Sequence, residues 1–269
     1  MPSERAEDLI DFGSVQVNGK QERRPTRTLA PGDVLLVSWP RGGTRRFYEI
    51  RPENILYRDR ELFAYNKEAS VPSQQTPSDG YNNLFAAVSR YLAAEGLRDP
   101  YVALHHRLDR DTSGVMIFAL DRSANRSLGA AFERKEVAKE YVAWVEGCPA
   151  RSRWVSREDI GRSGGRYVFC PRGQGKQAET VFEVLRAEDA RALVLARPLT
   201  GRTHQIRLHL AAAGHPVVGD RLYGGPAAPR LYLHAYRLTL NHPKTRRQTT
   251  FTATLPPDWL SPVAAPIPD

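Results

Sequence analysis

Two cysteines and two methionines in 269 residues, with no long apolar run, leave this chain without the raw material of several protein classes. Cys148 and Cys170 stand at a spacing that no zinc motif uses, so neither a disulfide framework nor a structural metal site is expected, and a reducing cytoplasm is the expected compartment. No stretch approaches the roughly eighteen apolar residues that a membrane-spanning helix needs, and helical membrane insertion is excluded. The opening segment carries Glu4, Glu7, Asp8 and Asp11 and no apolar core, so no secretory leader is expected. Also missing are a His-Glu-x-x-His pair, a phosphate-cradling glycine loop and a Gly-x-Ser-x-Gly elbow. Metalloprotease, P-loop and serine-hydrolase chemistry therefore lack their usual residues.

What is present is an ordinary globular mixture, 41% hydrophobic and 26% charged. A chain of this mass buries roughly three quarters of its unfolded surface, enough core to do without cross-links. The formal net charge is +9, and arginine outnumbers lysine 33 to 6. A GC-rich coding sequence would also favour arginine, but the net excess still calls for an anionic partner. Guanidinium groups fork onto phosphate and stack on bases, which suits nucleic acid as a partner better than a membrane surface.

Residues 1–45 read as a small β-rich module. A helix over 3–10 leads to a strand through Val15 and Val17, a turn at Asn18-Gly19 and a second strand over 34–37. Lys20, Arg23, Arg24, Arg27, Arg41, Arg45 and Arg46 give it a basic rim. A larger domain is expected over 50–258. Its strands fall at 55–57, 62–65, 115–120, 140–145, 178–185, 192–196, 231–240 and 249–255; its helices open at Asn82 or Asn83, at Ser123 and near Thr203. Helices and strands do not alternate strictly, so the expected class is α+β with a largely antiparallel sheet and flanking helices. Residues 151–176 hold seven basic and two acidic side chains among several glycines and read as a mobile basic insertion. The proline-rich tail from Pro256 is expected to carry little structure.

Three segments concentrate chemistry. The first is His106-Arg107-Leu108-Asp109-Arg110-Asp111-Thr112-Ser113-Gly114, set directly before the apolar run from Val115. An ionisable loop at the mouth of a core strand is a usual place for a site, although a merely charged turn would look the same. The second is Lys139-Glu140-Tyr141, entering a strand whose alternation puts Tyr141, Ala143 and Val145 on one face and Val142 and Trp144 on the other. Tyr141 is there as core or as a flat surface for a base. The third is Thr200-Gly201-Arg202-Thr203-His204-Gln205-Ile206-Arg207-Leu208-His209-Leu210. His204 and His209 are not at the helical spacing of a metal pair. Arg207, on a mostly apolar helix, needs a counter-ion, and Asp109 is the natural candidate.

Together these segments, with the continuation through Gly224, resemble the RluA-type pseudouridine synthases over about residues 53–257. Gly175-Lys176, Leu233-His234-Ala235 and His242-Pro243 support the match in the right order. The module before residue 45, with its Val-Gln-Val-Asn-Gly-Lys run, looks like a shortened αL-type RNA-binding domain. The resemblance implies a pseudouridine synthase fold and isomerisation of a uridine in ribosomal RNA or, next, tRNA, with no cofactor and no metal; no obligatory protein partner is evident, and a monomer is expected because no extra apolar segment is left over. The resemblance implies that Asp109 is the essential carboxylate, acting on sugar or base or as a proton acceptor. By the same resemblance Arg207 holds Asp109, Tyr141 packs on the target uracil and Arg107 enters the RNA stack that the uridine has left. His106, Thr112, Gly114 and His204 match supporting positions, and Lys139 and Arg202 are counted with them as substrate contacts. Where relatives commonly carry Lys-Pro-x-Gly, this chain has Lys67-Glu68-Ala69-Ser70, in a loop expected to border the site. The alternative is a non-catalytic RNA-binding or assembly factor that kept the fold. An Asp/His hydrolase is a remoter reading.

Overall fold

A computed structural model describes residues 3–40, 43–188 and 190–259. Arg41 of the basic rim and the tail from residue 260 lie outside the described residues. The chain divides into two compact units, Met1–Pro52 with Val71–Val102, and Glu53–Ser70 with Ala103–Asp269.

The first unit holds α1 (Ser3–Phe12), β1 (Val15–Val17), β2 (Lys20–Gln21), β3 (Leu35–Val37) and α2 (Leu84–Ala94). Its three strands pair antiparallel in the order β2-β1-β3. The Asn18-Gly19 turn has positive φ at both residues, 53° and 75°, the geometry that joins twisted strands without splaying them. The Asn83 side chain caps α2 by accepting from the Ala86 amide at 3.0 Å. Leu84, Val88 and Leu92, one helical turn apart, form its buried stripe. Part of the basic rim turns inward: Arg24 and Arg27 both bond the Glu22 carboxylate, at 3.1 and 2.7 Å, and hold it at a pKa of about 2.

The second unit contains β4 (Ile55–Arg58), β5 (Leu62–Lys67), β6 (Ala103–Leu104), β7 (Ser113–Ala119), α3 (Arg122–Glu133), β8 (Ala138–Glu146), β9 (Arg153–Ser163), β10 (Arg166–Cys170), β11 (Lys176–Glu188), β12 (Arg191–Pro198), α4 (Gln205–Ala212), β13 (Leu233–Asn241) and β14 (Gln248–Thr252). Its strands build one mixed sheet in the order β10-β9-β11-β12-β8-β13-β7-β5-β4, with β14 on β13 and β6 on β7. Every pairing is antiparallel except β7 with β13, through His234↔Ser113 and Ala235↔Gly114. This is the α+β class expected from the sequence. The alternation read along β8 holds: Ala143 and Val145 join Ile206 and Leu210 on one face, while Val142 and Trp144 join Leu195 on the other.

Several local expectations are corrected. Residues 151–176 are not a loose insertion, because β9 and β10 form an antiparallel hairpin closed at Gly164-Gly165, whose φ values of 55° and 79° suit a tight turn. Polar residues alternating on a two-sided, largely solvated ribbon hide the strand signal from a hydrophobicity reading. The cap of α3 is Asp121 and not Ser123; its carboxylate accepts from the Ala124 amide at 3.0 Å. The helix α4 opens at Gln205, two residues later than read, because His204 adopts a left-handed conformation with φ 57°. The tail is not wholly unstructured either: Trp259 is buried against the rings of Tyr232 and His234, with centroids 5.6 and 5.7 Å away.

Candidate active site

Within the second unit, the loop before β7, the start of β8 and the segment leading into α4 enclose a cleft of about 460 Å³. The nine side chains singled out from the sequence, Asp109, Tyr141 and Arg207 together with His106, Arg107, Thr112, Lys139, Arg202 and His204, all border it.

The loop carrying Asp109 is fastened at both ends. Behind it, the wholly buried Lys67 at the end of β5 donates to the carbonyls of Glu68 and Arg110, at 2.9 and 3.0 Å. Burial brings the Lys67 pKa down to about 7. Arg110 reaches back to the Ser70 carbonyl at 3.2 Å. Two of these contacts use the Glu68 and Ser70 carbonyls, so the Lys67-Glu68-Ala69-Ser70 segment holds the loop through its backbone. Ahead of it, Ser113 accepts from Arg230 and bonds His234 Nδ1 at 2.8 Å.

Arg207 faces two carboxylates. Its Nε and Nη2 both lie 2.7 Å from Asp220, the bidentate fork, while Nη1 reaches Asp109 Oδ2 at 3.3 Å. The sequence named Asp109 as the partner of Arg207. The structure corrects the emphasis: Asp220, wholly buried, takes the planar fork, and Asp109 receives the remaining nitrogen. Burial opposes the charge on Arg207, but the two carboxylates outweigh it and raise its pKa. Sequence reading missed Asp220. Its signal was an acid inside the otherwise apolar and small Pro216-Val217-Val218-Gly219 stretch, where a carboxylate needs a partner.

His204 stands beside Asp109 with Nε2 3.7 Å from Oδ2. Its Nδ1 lies 2.8 Å from the Tyr223 hydroxyl, which in turn donates to the Tyr167 carbonyl. Burial lowers the His204 pKa against the pull of Asp109. Burial, followed by the charge of Asp109, pushes the Tyr141 hydroxyl up, so it remains a protonated phenol.

The other residues divide into braces and open groups. His106 is neutral, its pKa brought to about 3 by burial, and its Nε2 accepts from the Ile117 amide at 3.0 Å while the ring stacks on Phe132. Arg202 is tied through its amide to Gln205 Oε1 and through Nε to the Gln177 carbonyl. Gln205 also bonds Thr200 and Thr180, which locks the turn before α4. The Thr112 hydroxyl is buried and has no partner among the described residues. Arg107 is exposed at the rim. Away from the cleft, Asp59, Glu61 and His242 cluster closely, but His242 donates to Asp59 at 2.8 Å and Lys244 pairs with Glu61 at 3.0 Å, so they satisfy one another.

The RNA pseudouridylate synthase family matches residues 61–212. An uncharacterised RNA pseudouridine synthase of Bacillus subtilis is 36% identical over 256 residues, covering 91% of this chain and 88% of that protein. Ribosomal large subunit pseudouridine synthase C of Yersinia pestis is 35% identical over 88% of this chain and 79% of its own length. The dual-specificity RNA pseudouridine synthase RluA of Escherichia coli is 36% identical over 74% of this chain and 91% of its own. Among solved structures, human RNA pseudouridylate synthase domain containing 1 superposes with a TM-score of 0.62 at 30% identity, over 76% of this chain and 83% of that one.

Proposed function

The chain belongs to the RNA pseudouridylate synthase family and is an RNA pseudouridine synthase, an isomerase; from that premise we propose that it isomerises one specific uridine of a structured RNA through the carboxylate of Asp109, after the nucleotide has turned out of its stack. The observation that carries this reading is that Asp109 is the sole carboxylate among the described residues bordering the cleft. Ribosomal RNA is the proposed substrate, by similarity to a relative named for the large ribosomal subunit, with tRNA second.

Uridine and pseudouridine are isomers. The C1′–N1 bond breaks, a C1′–C5 bond forms, C5 loses its hydrogen and N1 ends with one, so no oxidant and no net water is consumed. The detached uracil has to turn and reattach before water reaches the sugar, which an enclosing cleft favours. A stacked base offers none of these atoms, hence the extrusion, which costs a few kcal/mol. In this reading Asp109 acts at the reacting nucleotide, and Arg207, gripped by Asp220, fixes its direction. Tyr141 packs on the uracil with a phenolic proton available, Arg107 fills the gap left in the RNA, and the module over residues 1–45 adds contacts to the substrate.

Pseudouridine mapping by carbodiimide-dependent reverse-transcription stops, on unmodified rRNA and tRNA transcripts, tests this. Wild type is expected to produce a new stop; Asp109→Asn is expected to lose turnover by about a thousandfold or more while still binding RNA. A stop that persists at full rate with Asp109→Asn overturns the reading.

A further inference from the structure

Lys139 lies on β8 two residues before Tyr141, so the two side chains leave the same face about 7 Å apart along the strand. Glu140, between them, faces the other way and is held by Arg197 at 2.7 Å. The Lys139 side chain is half-buried at the border of the cleft and makes no hydrogen bond or ion pair with any described residue. Its Nζ lies beside Gly201, 3.9 Å from where a Cβ at that position would stand, an ordinary contact distance. Burial lowers the Lys139 pKa, and no neighbouring carboxylate restores it. Nearby His106 is neutral and accepts from a backbone amide, so it offers no anion. Asp109, the cleft's one carboxylate, is bonded to Arg207.

A cation withdrawn from water without a counter-ion is unfavourable, and a protein keeps one where a ligand supplies the missing charge. We propose that Lys139 binds a phosphodiester oxygen of the flipped nucleotide itself, anchoring the backbone one strand repeat away from the face of Tyr141 that holds the base. This deepens the proposed function and rests on it. It makes Lys139 a determinant of substrate seating, distinct from Arg107 at the exposed rim.

The test uses a stem-loop RNA spanning the mapped uridine, in its natural form and with a single uncharged methylphosphonate on either side of that uridine. For wild type, one of the two neutralised linkages is expected to raise KM and Kd about tenfold, the worth of one charge-assisted hydrogen bond. Lys139→Met is expected to show the same rise on natural RNA and no further loss on the methylphosphonate. Its log Kd against log salt should be shallower by about 0.7. Lys139→Arg, which keeps the charge, should recover most of the affinity. Lys139→Met should melt no lower than wild type, because an unpaired buried charge has been removed.

Losses that multiply, with Lys139→Met and the methylphosphonate each costing their full factor together, overturn the proposal. So does a fall confined to kcat at saturating RNA, which would place Lys139 on the reacting base, and so does a melting point well below that of wild type. If wild type forms no pseudouridine on natural RNA, it is the activity that has failed. The Kd values on the same oligonucleotides then decide Lys139 in the same way.

Discussion

At the scale of single residues, the arrangement turns on one guanidinium between two carboxylates of unequal burial. Asp220 has no exposed side-chain surface, whereas Asp109 retains 18%. Removing Asp220 therefore leaves Arg207 in the interior with the 3.3 Å bond to Asp109 as its carboxylate contact and the Tyr223 ring 5.2 Å from its guanidinium. Asp220→Ala is expected to destabilise the protein by about 3–5 kcal/mol in urea unfolding, the range for a broken buried pair. It should also slow single-turnover isomerisation, because the guanidinium then swings toward Asp109. Asp109→Ala, by contrast, leaves the bidentate pair intact and should cost clearly less stability; equal losses for the two variants would contradict this ordering. Asp109 was legible in the sequence because it sits among charged neighbours in a distinctive run. Asp220 was not, because nothing local says which arginine, thirteen residues back, its side chain will meet.

At the scale of elements, the site depends on backbone that only certain residues permit. Gly114 has a φ of 115° and lies where β7 meets β13, and a Cβ there would run into the backbone of Ala235, 2.6 Å from its nitrogen. This is the one parallel pairing of the sheet, and it anchors the downstream end of the Asp109 loop. Gly114→Ala is expected to cost about 3 kcal/mol or more, from the left-handed backbone and the overpacking together, with a parallel loss of activity. A variant as stable as wild type would show that the two strands can part without consequence. The elements that sequence pattern located well, α2 and β8, have a buried stripe or face whose spacing follows their own period. Those it mislaid, the β9–β10 hairpin and the first turn of α4, owe their form to partners: a ribbon pairing with itself, and a Gln205 side chain that ties the turn over 200–202 to Glu179 on β11.

At the scale of the whole molecule, buried titratable groups give stability a predictable pH profile. His106, His209 and His234 are held neutral by burial, with pKa values of about 3, 4 and 4 against an ordinary 6.5. Their folded values are depressed, so the unfolded chain binds more protons below pH 6.5. The histidine contribution to stability is complete above that pH and is lost as pH falls toward 4, by up to about 1.4 kcal/mol per pH unit for each histidine. Lys67 is depressed from 10.5 to about 7, so in the window between these values the unfolded chain again holds the extra proton and stability rises with pH. Urea midpoints at pH 4.5, 6.5, 7.5 and 9 should climb over both intervals. His209→Asn should flatten the lower limb and Lys67→Met the upper. A profile unchanged by either substitution would mean that these groups titrate alike in both states.

The sequence by itself determined the class of fold, the family and the cleft's cast of residues, because hydrophobic period and short motifs are local properties that survive without coordinates. It also determined the attraction to a polyanion, since net charge is a sum over residues and needs no geometry. Only the tertiary structure decided which carboxylate takes the fork of Arg207, that Lys67 fastens the Asp109 loop through the Arg110 carbonyl, and that Lys139 faces the cleft without a counter-ion. Those outcomes depend on distances between segments far apart in the chain, set by sheet order and register, and a linear pattern does not encode the partner that a charged side chain will find.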